Sequence, residues 1–346
     1  MRLFLVILFF TFLCGCMSSV NEASEISAES SESKDANKFM WNNLHSGNYD
    51  SIPAILKKLN SANAENPEDG KITAHLGFVH LWAFSERIRK PSDEEITKHV
   101  FLSNMYFKKA IDINPSDARL HGFQAATEMC EGAISKDPIM IATGYGKGIN
   151  AIDKWPQFNK FAISFVESLQ GKNSPMFKQG LKFQWELLDE CSTNELTQKM
   201  IEEDPVKILT DLINEVKRSE DPAISRACWN SWIAPHNLEG FFLNLGDMLV
   251  KAGEIETAKK IYAAARLTPS FNEWPYKSLV EDRIKNAERN YKSFNESLEL
   301  IHITNKNQIF INSSISCVGC HQMSPAEFKR YGYQEPKPSI YTLIKN

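Results

Sequence analysis

The residues whose types and spacing are best suited to chemistry lie near the carboxyl terminus, in the sequence Cys317-Val318-Gly319-Cys320-His321. Cysteines three positions apart lie on one side of a helical turn, so both sulfur atoms can act on the same group. Such a pair can form a disulfide, bind zinc with further ligands, or form two thioether bonds to one cofactor. No second Cys or His pair follows the motif, which makes a zinc site the least favoured of the three.

This five-residue sequence resembles the haem-attachment sequence of c-type cytochromes. The resemblance implies that Cys317 and Cys320 form thioether bonds to the two vinyl groups of one haem c, and that His321 is the axial ligand of its iron. The C-terminal segment, residues 296–346, is too short for the cytochrome c fold and does not resemble it beyond the motif. We therefore expect the haem to find protein cover on the rest of the chain.

Met323 and His302 are the residues near the motif that could bind the other side of the haem iron. Met323 lies two positions after His321, a reach of about 7 Å, whereas trans ligands place their Cα atoms roughly 10 Å or more apart, so Met323 is a poor candidate. His302 has enough intervening chain to fold back and is the candidate distal ligand. A ligand from another part of the chain, or an open coordination position, are the alternatives.

The amino terminus has the pattern of an export signal. Arg2 precedes an apolar stretch that is shorter than the roughly 20 residues needed to span a membrane. The tetrad that follows, Leu13-Cys14-Gly15-Cys16, resembles the bacterial lipobox. The resemblance implies that residues 1–15 are removed and that Cys16 becomes a lipidated amino terminus, which would anchor the chain to a membrane.

The residues after Cys16 suggest where the lipoprotein goes and how it is tethered. Residue Met17 is not Asp, which in lipoproteins of the enteric type, which this chain resembles, permits sorting to the outer membrane, facing the periplasm. From Ser18 to Asn37 the chain is rich in Ser, Glu and Ala, with one Lys, and contains no aromatic residue. Such a segment buries too little apolar surface to fold, so we expect a disordered tether.

Residues 38–295 form the predicted body. Apolar residues recur at three- and four-residue intervals and alternating β-branched runs are almost absent, which predicts an all-α fold. Three stretches resemble the tetratricopeptide repeat: Asn244–Pro269, Tyr106–Pro115 and, more weakly, Trp41–Pro67. Because their spacing is irregular, the resemblance implies a degenerate array of helical hairpins, with a non-repeat helical bundle as the alternative.

The expected partners follow from the repeats and the charge. Tetratricopeptide arrays present a concave groove, so the resemblance implies a protein or peptide partner there. The formal charge of -4 and the pI near 6.1 provide no basic surface, and nucleic acid is not expected as a partner. No Ser/His/Asp order and no paired-carboxylate motif indicates a catalyst.

Glycines and histidines within the body have simpler interpretations. The stretch Gly144–Gly148 is similar to a phosphate-binding loop, but no strand precedes it and its glycine spacing is incomplete, so close helix packing is favoured. The side chains of His75 and His80 are five positions apart and lie on different faces of a helix. We expect both to be structural histidines with hydrogen-bond partners.

The remaining cysteines and aromatic residues complete the set of candidates. Cys130 shares a helical spacing with Phe123 and Ala126, so we expect it to be a small core residue. In an oxidising compartment Cys191 and Cys228 could form a disulfide, and one thiol of the three must stay free. Aromatic residues are concentrated in 229–240 and 274–276, where they either pack in the core or line the groove or the haem pocket.

The sequence is compatible with two functions from different classes. The first is a lipid-anchored protein that carries one haem on a helical-repeat scaffold and transfers electrons to or from a docked partner. The second is an adaptor without haem that binds proteins through its repeats and uses Cys317 and Cys320 only as a disulfide.

Overall fold

The computed structural model describes residues 30–89, 93–190, 237–296 and 308–323, together with five single positions between 203 and 211. Throughout these ranges the regular structure is helical, and none of the described residues belongs to a strand. The predicted all-α class is confirmed. No helix in the described ranges is both long enough and apolar enough to cross a membrane.

Within residues 30–89 and 93–190 the helices follow one another with short connections. Their bounds are α1 Ser31–His45, α2 Ile52–Glu65, α3 Gly70–Ser85, α4 Asp93–Ile113, α5 Ala118–Ser135, α6 Pro138–Lys154, α7 Pro156–Glu167, α8 Pro175–Glu190, α9 Leu238–Ala252, α10 Ile255–Ala264, α11 Lys277–Lys285, α12 Ala287–Asn295 and α13 Val318–His321. Short 3₁₀ turns lie at Tyr49–Ser51, Arg87–Arg89, Ala265–Leu267 and Phe310–Asn312. Several helices begin at a Ser, Asp or Asn whose side chain accepts a first-turn N–H, which is why they start where they do.

The clearest hairpin is formed by α9 and α10. A Cβ atom added to Gly246 on α9 would lie 2.3 Å from Cε1 of Tyr262 on α10, so the two helices touch where glycine leaves room. Gly253 ends α9 in the left-handed conformation, with φ of 97°. Ala258 is fully buried between the helices. The residues that carry the strongest repeat resemblance therefore do lie at a helix crossing.

Helices α5, α6 and α7 pack through the glycines of α6. A Cβ atom on Gly144 would lie 2.9 Å from Cγ of Met129, and one on Gly148 would lie 2.7 Å from Cδ1 of Ile163. Lys147 between them forms an ion pair with Glu128. Close helix packing, rather than a phosphate loop, is confirmed for this stretch.

The predicted end of the tether at residue 37 is wrong, because α1 begins at Ser31. Ser33 is fully buried and its hydroxyl donates to Oδ2 of Asp69 at 2.9 Å. Asn37 is also fully buried and its Oδ1 contacts Nδ1 of His75. The segment is poor in apolar residues, but its buried polar side chains form hydrogen bonds with α3 and with Asp69, the residue just before α3. These bonds offset the cost of burying polar groups, and composition alone does not reveal them. Residues 1–29, including Cys16, lie outside the described residues.

Residues 308–323 belong to the main core. Ile309, Phe310, Val318 and Cys320 are buried in the same apolar cluster as residues of α1, α2, α3 and α9. The buried carboxylate of Asp247 on α9 accepts the backbone N–H of Phe310 at 2.8 Å. The described part of the C-terminal segment is therefore continuous with the helical body.

Candidate functional site

The cysteine motif forms a single helical turn, as its spacing predicts. Cys317 precedes α13, and its carbonyl accepts the N–H of His321 at 2.9 Å. Gly319 donates its N–H to the carbonyl of Ile315 at 2.7 Å. Cys317 and Cys320 are both free thiols, the first partly buried and the second 3% exposed. Two thiols and one imidazole thus emerge from one turn of backbone.

The amino end of this turn is held by a carboxylate from the end of α3. Glu86 is fully buried, and its Oε1 accepts the N–H of Val318 at 2.8 Å and of Cys317 at 3.0 Å. Burial raises the pKa of Glu86 to about 7, while these N–H groups and the nearby guanidinium of Arg89 act to lower it. Arg89 Nε lies 3.0 Å from Oε2 of Glu86 and also donates to the carbonyl of Ser314 at 2.6 Å.

The carboxyl end of the turn is held by the residue that caps α9. The backbone N–H of Asn237 donates to the carbonyl of Cys320 at 2.8 Å. Its side-chain Nδ2 donates to the carbonyls of Gly319 at 3.0 Å and Gln322 at 3.2 Å, while Oδ1 accepts the N–H of Gly240 at 2.7 Å. One asparagine therefore starts a helix and fixes the motif against it.

The sulfur of Cys320 lies against the start of α9. A Cβ atom on Gly240 would lie 2.6 Å from Sγ of Cys320, so this close approach requires glycine. Burial raises the pKa of the Cys320 thiol above its ordinary range, and the carboxylate of Glu239 raises it further. The pKa of Cys317 is raised in the same way, first by burial and then by Glu86. Both thiols are protonated at neutral pH and are weak nucleophiles.

Two aromatic residues and α1 complete the surroundings. Trp274 is 3% exposed and its Nε1 donates to the carbonyl of Gly319 at 3.2 Å. The hydroxyl of Tyr276 donates to Oε1 of Gln322 at 2.6 Å. The backbone N–H of Met323 donates to the carbonyl of His45, whose own pKa is lowered by burial to about 4. Trp274 is therefore a core residue, as expected for an aromatic side chain at a helix crossing, and it also contacts the cysteine motif.

The residues present fit a covalent haem in their chemistry and backbone. The turn is helical, which directs side chains three positions apart to one side. Neither thiol is consumed in a disulfide, and Nδ1 of His321 is buried within the protein. Within the described ranges, no group of three or more His, Cys, Asp or Glu side chains could hold a metal ion.

Several predicted residues are placed elsewhere. The proposed distal ligand His302 lies outside the described residues, as do Cys191, Cys228 and the aromatic residues before position 237. Cys130 is a buried free thiol 5% exposed, as expected for a small core residue. The histidines of α3 have partners, as expected: besides the contact of His75 with α1, Nδ1 of His80 lies 2.8 Å from Nδ1 of His99.

The residues that sequence reasoning missed are those that hold the motif in place. Asn237 followed by helix-forming residues carries a recognisable N-cap signal, although nothing local indicates its bonds to a turn more than 80 positions away. Glu86 carries no such signal, because its partners lie 231 and 232 positions later in the chain. The stretch after it contains the Arg87–Arg89 turn, whose side chains donate hydrogen bonds to Asn312 and Ser314, just before the motif.

Comparison with known proteins gave no relatives: no family model, no curated protein and no solved structure matches this chain.

Proposed function

We propose that this chain is a cell-envelope lipoprotein that carries one covalent c-type haem on a tetratricopeptide-like helical body and transfers electrons to or from a docked protein partner. The observation that supports it most is the helical Cys317–His321 turn. It presents two free thiols and one imidazole, and it is joined to the body at both ends by buried polar side chains.

In this proposal Cys317 and Cys320 hold the haem by thioether bonds and His321 is its axial ligand. A single haem supplies reversible storage of one electron. The protein contributes a fixed turn: Glu86 holds the backbone N–H groups at its start, and Asn237 holds the carbonyls at its end. The raised pKa values of both thiols argue against the alternative of a redox-active disulfide, since exchange chemistry requires an accessible thiolate.

The helical body is proposed as a degenerate repeat array whose exposed face selects the protein partner. The α9–α10 hairpin, with Gly246 against Tyr262, supports this interpretation over an irregular bundle.

The membrane anchor is proposed to be a lipid on Cys16, with the chain at the outer membrane facing the periplasm. Cys16→Ser should release the protein from membranes, since no lipid could then be attached. Membrane fractions washed with high salt should retain the wild type and lose the variant. Retention of both to the same extent would place the anchor elsewhere.

The haem assignment is tested with the full chain exported together with the haem-attachment machinery. A pyridine haemochrome spectrum and an intact mass should show one covalent haem, and replacing both Cys317 and Cys320 by Ala should abolish it. Cys130→Ala is the matched control, because it removes a buried free thiol far from the motif in sequence and should keep the haem. His302→Ala should convert a low-spin spectrum to high-spin if His302 is the distal ligand.

A wild type without haem, in which peptide mapping finds a disulfide between Cys317 and Cys320, would refute the proposal. That result would favour the adaptor, in which Cys317 and Cys320 form a disulfide.

A further inference from the structure

Two imidazoles from neighbouring helices meet outside the cysteine motif. His80 on α3 and His99 on α4 are 19 positions apart in the chain, and their Nδ1 atoms lie 2.8 Å from each other. The ring centroids are 5.0 Å apart, and the ring planes form an angle of 44°. Because the two nitrogen atoms face each other at this distance, neutral rings share one proton between them, with one Nδ1 as donor and the other as acceptor.

One ring of the pair is fixed, and the other can adjust. His80 is 5% exposed, and its ring stacks on the ring of Tyr106 with the planes 6° apart. His99 is half-buried, so its side of the pair is accessible from solvent. Burial lowers the pKa of both imidazoles, that of His80 to about 3, and both rings are therefore neutral at pH 7. Neutral imidazole is the form that binds metal ions.

We propose that His80 and His99 bind a divalent transition-metal ion of the class that prefers imidazole ligands, which includes Zn²⁺, Ni²⁺ and Cu²⁺. The ion takes the place of the shared proton. The donor ring loses its hydrogen at Nδ1 to solvent and gains one from solvent at Nε2, so it stays neutral and both Nδ1 lone pairs bind the ion. No electron is transferred. Neither imidazole belongs to the cysteine motif, so this site exists whether or not the chain carries haem.

The distance between the two nitrogen atoms is close to the one that such an ion requires. Two nitrogen ligands at about 2.0–2.1 Å from a tetrahedral ion lie about 3.3 Å from each other. The Nδ1 atoms, now 2.8 Å apart, must therefore separate by roughly 0.5 Å, which a small rotation of the half-buried His99 ring provides. Among the described residues no third His, Cys, Asp or Glu joins the pair, so water occupies the remaining coordination positions.

Two charged side chains of α4 act on the pair besides burial. The carboxylate of Glu95 raises the pKa of His99, whereas the ammonium group of Lys98 lowers the pKa of both imidazoles. Both side chains are exposed, so solvent screens their charges, and their signs are opposite. The attraction for the ion therefore comes from the two imidazole lone pairs rather than from a local field.

The experiment is a calorimetric titration of the full chain, purified without a histidine tag, with NiCl₂ at pH 7.5. The wild type should bind one Ni²⁺ more than His80→Gln and one more than His99→Gln, because glutamine keeps hydrogen-bonding groups but lacks the imidazole. The matched control is His121→Ala, which removes an imidazole of α5 whose Nε2 contacts the carbonyl of Pro115, and it should bind as the wild type does. Ni²⁺ bound by thiols elsewhere is common to all four proteins and cancels. Mg²⁺, which prefers oxygen ligands, should not bind to the pair.

Thermal melts provide a second readout. Ni²⁺ should raise the melting temperature of the wild type and of His121→Ala, EDTA should reverse the rise, and the glutamine variants should not respond, since an ion bound only to the folded state stabilises it. Equal Ni²⁺ stoichiometry in the wild type and His99→Gln would overturn the inference and leave the pair as a shared-proton contact. Loss of the ion in only one of two folded glutamine variants would overturn it as well. If His80→Gln fails to fold, His99→Gln at the half-buried position decides alone.

Discussion

Replacing Asn237 by Ala should destabilise the chain more than the loss of any ordinary helix cap. The substitution removes three side-chain hydrogen bonds: the cap to Gly240 and two bonds to carbonyls of the motif. The cap contributes about 1 kcal/mol, and each buried bond to a carbonyl about 1 kcal/mol more. Because Gly319 keeps its second donor, Trp274, its carbonyl is not left unpaired. We expect a total loss of about 3 kcal/mol of unfolding free energy.

The matched control is Asp137→Ala at the start of α6. Its Oδ1 accepts the N–H groups of Ile139 and Met140, and among the described residues its side chain has no hydrogen bond outside that helix. Its loss should cost about 1 kcal/mol. Urea titrations of both haem-free variants, compared by midpoint and slope, measure the difference.

A local measurement accompanies the global one. Amide hydrogen exchange in the motif turn should become faster in Asn237→Ala and stay unchanged in Asp137→Ala, because only the first variant loosens the turn. If the two variants lost the same free energy and the same protection, the bonds between α9 and the motif would contribute nothing, and the reasoning would be refuted.

Three further outcomes are expected. Gly246→Ala should lower the free energy of unfolding by about 1 to 3 kcal/mol, because the added methyl group overpacks against Tyr262. Gly146→Ala should leave the melting temperature unchanged or raise it, because no atom lies within 4 Å of the added methyl group. Glu167 has no hydrogen-bond partner for either carboxylate oxygen among the described residues, and burial raises its pKa from 4.5 to about 8. The folded state therefore binds the proton more tightly than the unfolded state, stability should fall by a few kcal/mol as pH rises from about 4.5 to 8, and Glu167→Gln should flatten that dependence in urea titrations. A chain that begins at Lys38 should lose at least about 2 kcal/mol relative to one that begins at residue 30, because it lacks the buried first turns of α1; equal melting curves would show that those turns are dispensable.

Several features could be predicted from the sequence because their causes are local. Apolar periodicity predicted the helices, and cap residues such as Asp69 and Asp137 begin two of them. The glycines of α6 were correctly interpreted as close packing, since an isolated phosphate loop requires a preceding strand. The helical conformation of the Cys317–His321 turn also follows from its spacing.

What the tertiary structure alone decided is how that motif is held. Glu86 and Asn237 contact it from positions 232 and 82 residues away, and Arg89 contacts Ser314 just before it; no periodicity or spacing relates residues so far apart. The same reason explains the misplaced tether boundary: Ser33 and its neighbours are polar, and their burial depends on partners in and just before α3. Local sequence determines which backbone conformation each segment prefers, whereas the pairing of buried polar groups is determined only when the segments meet in the folded chain.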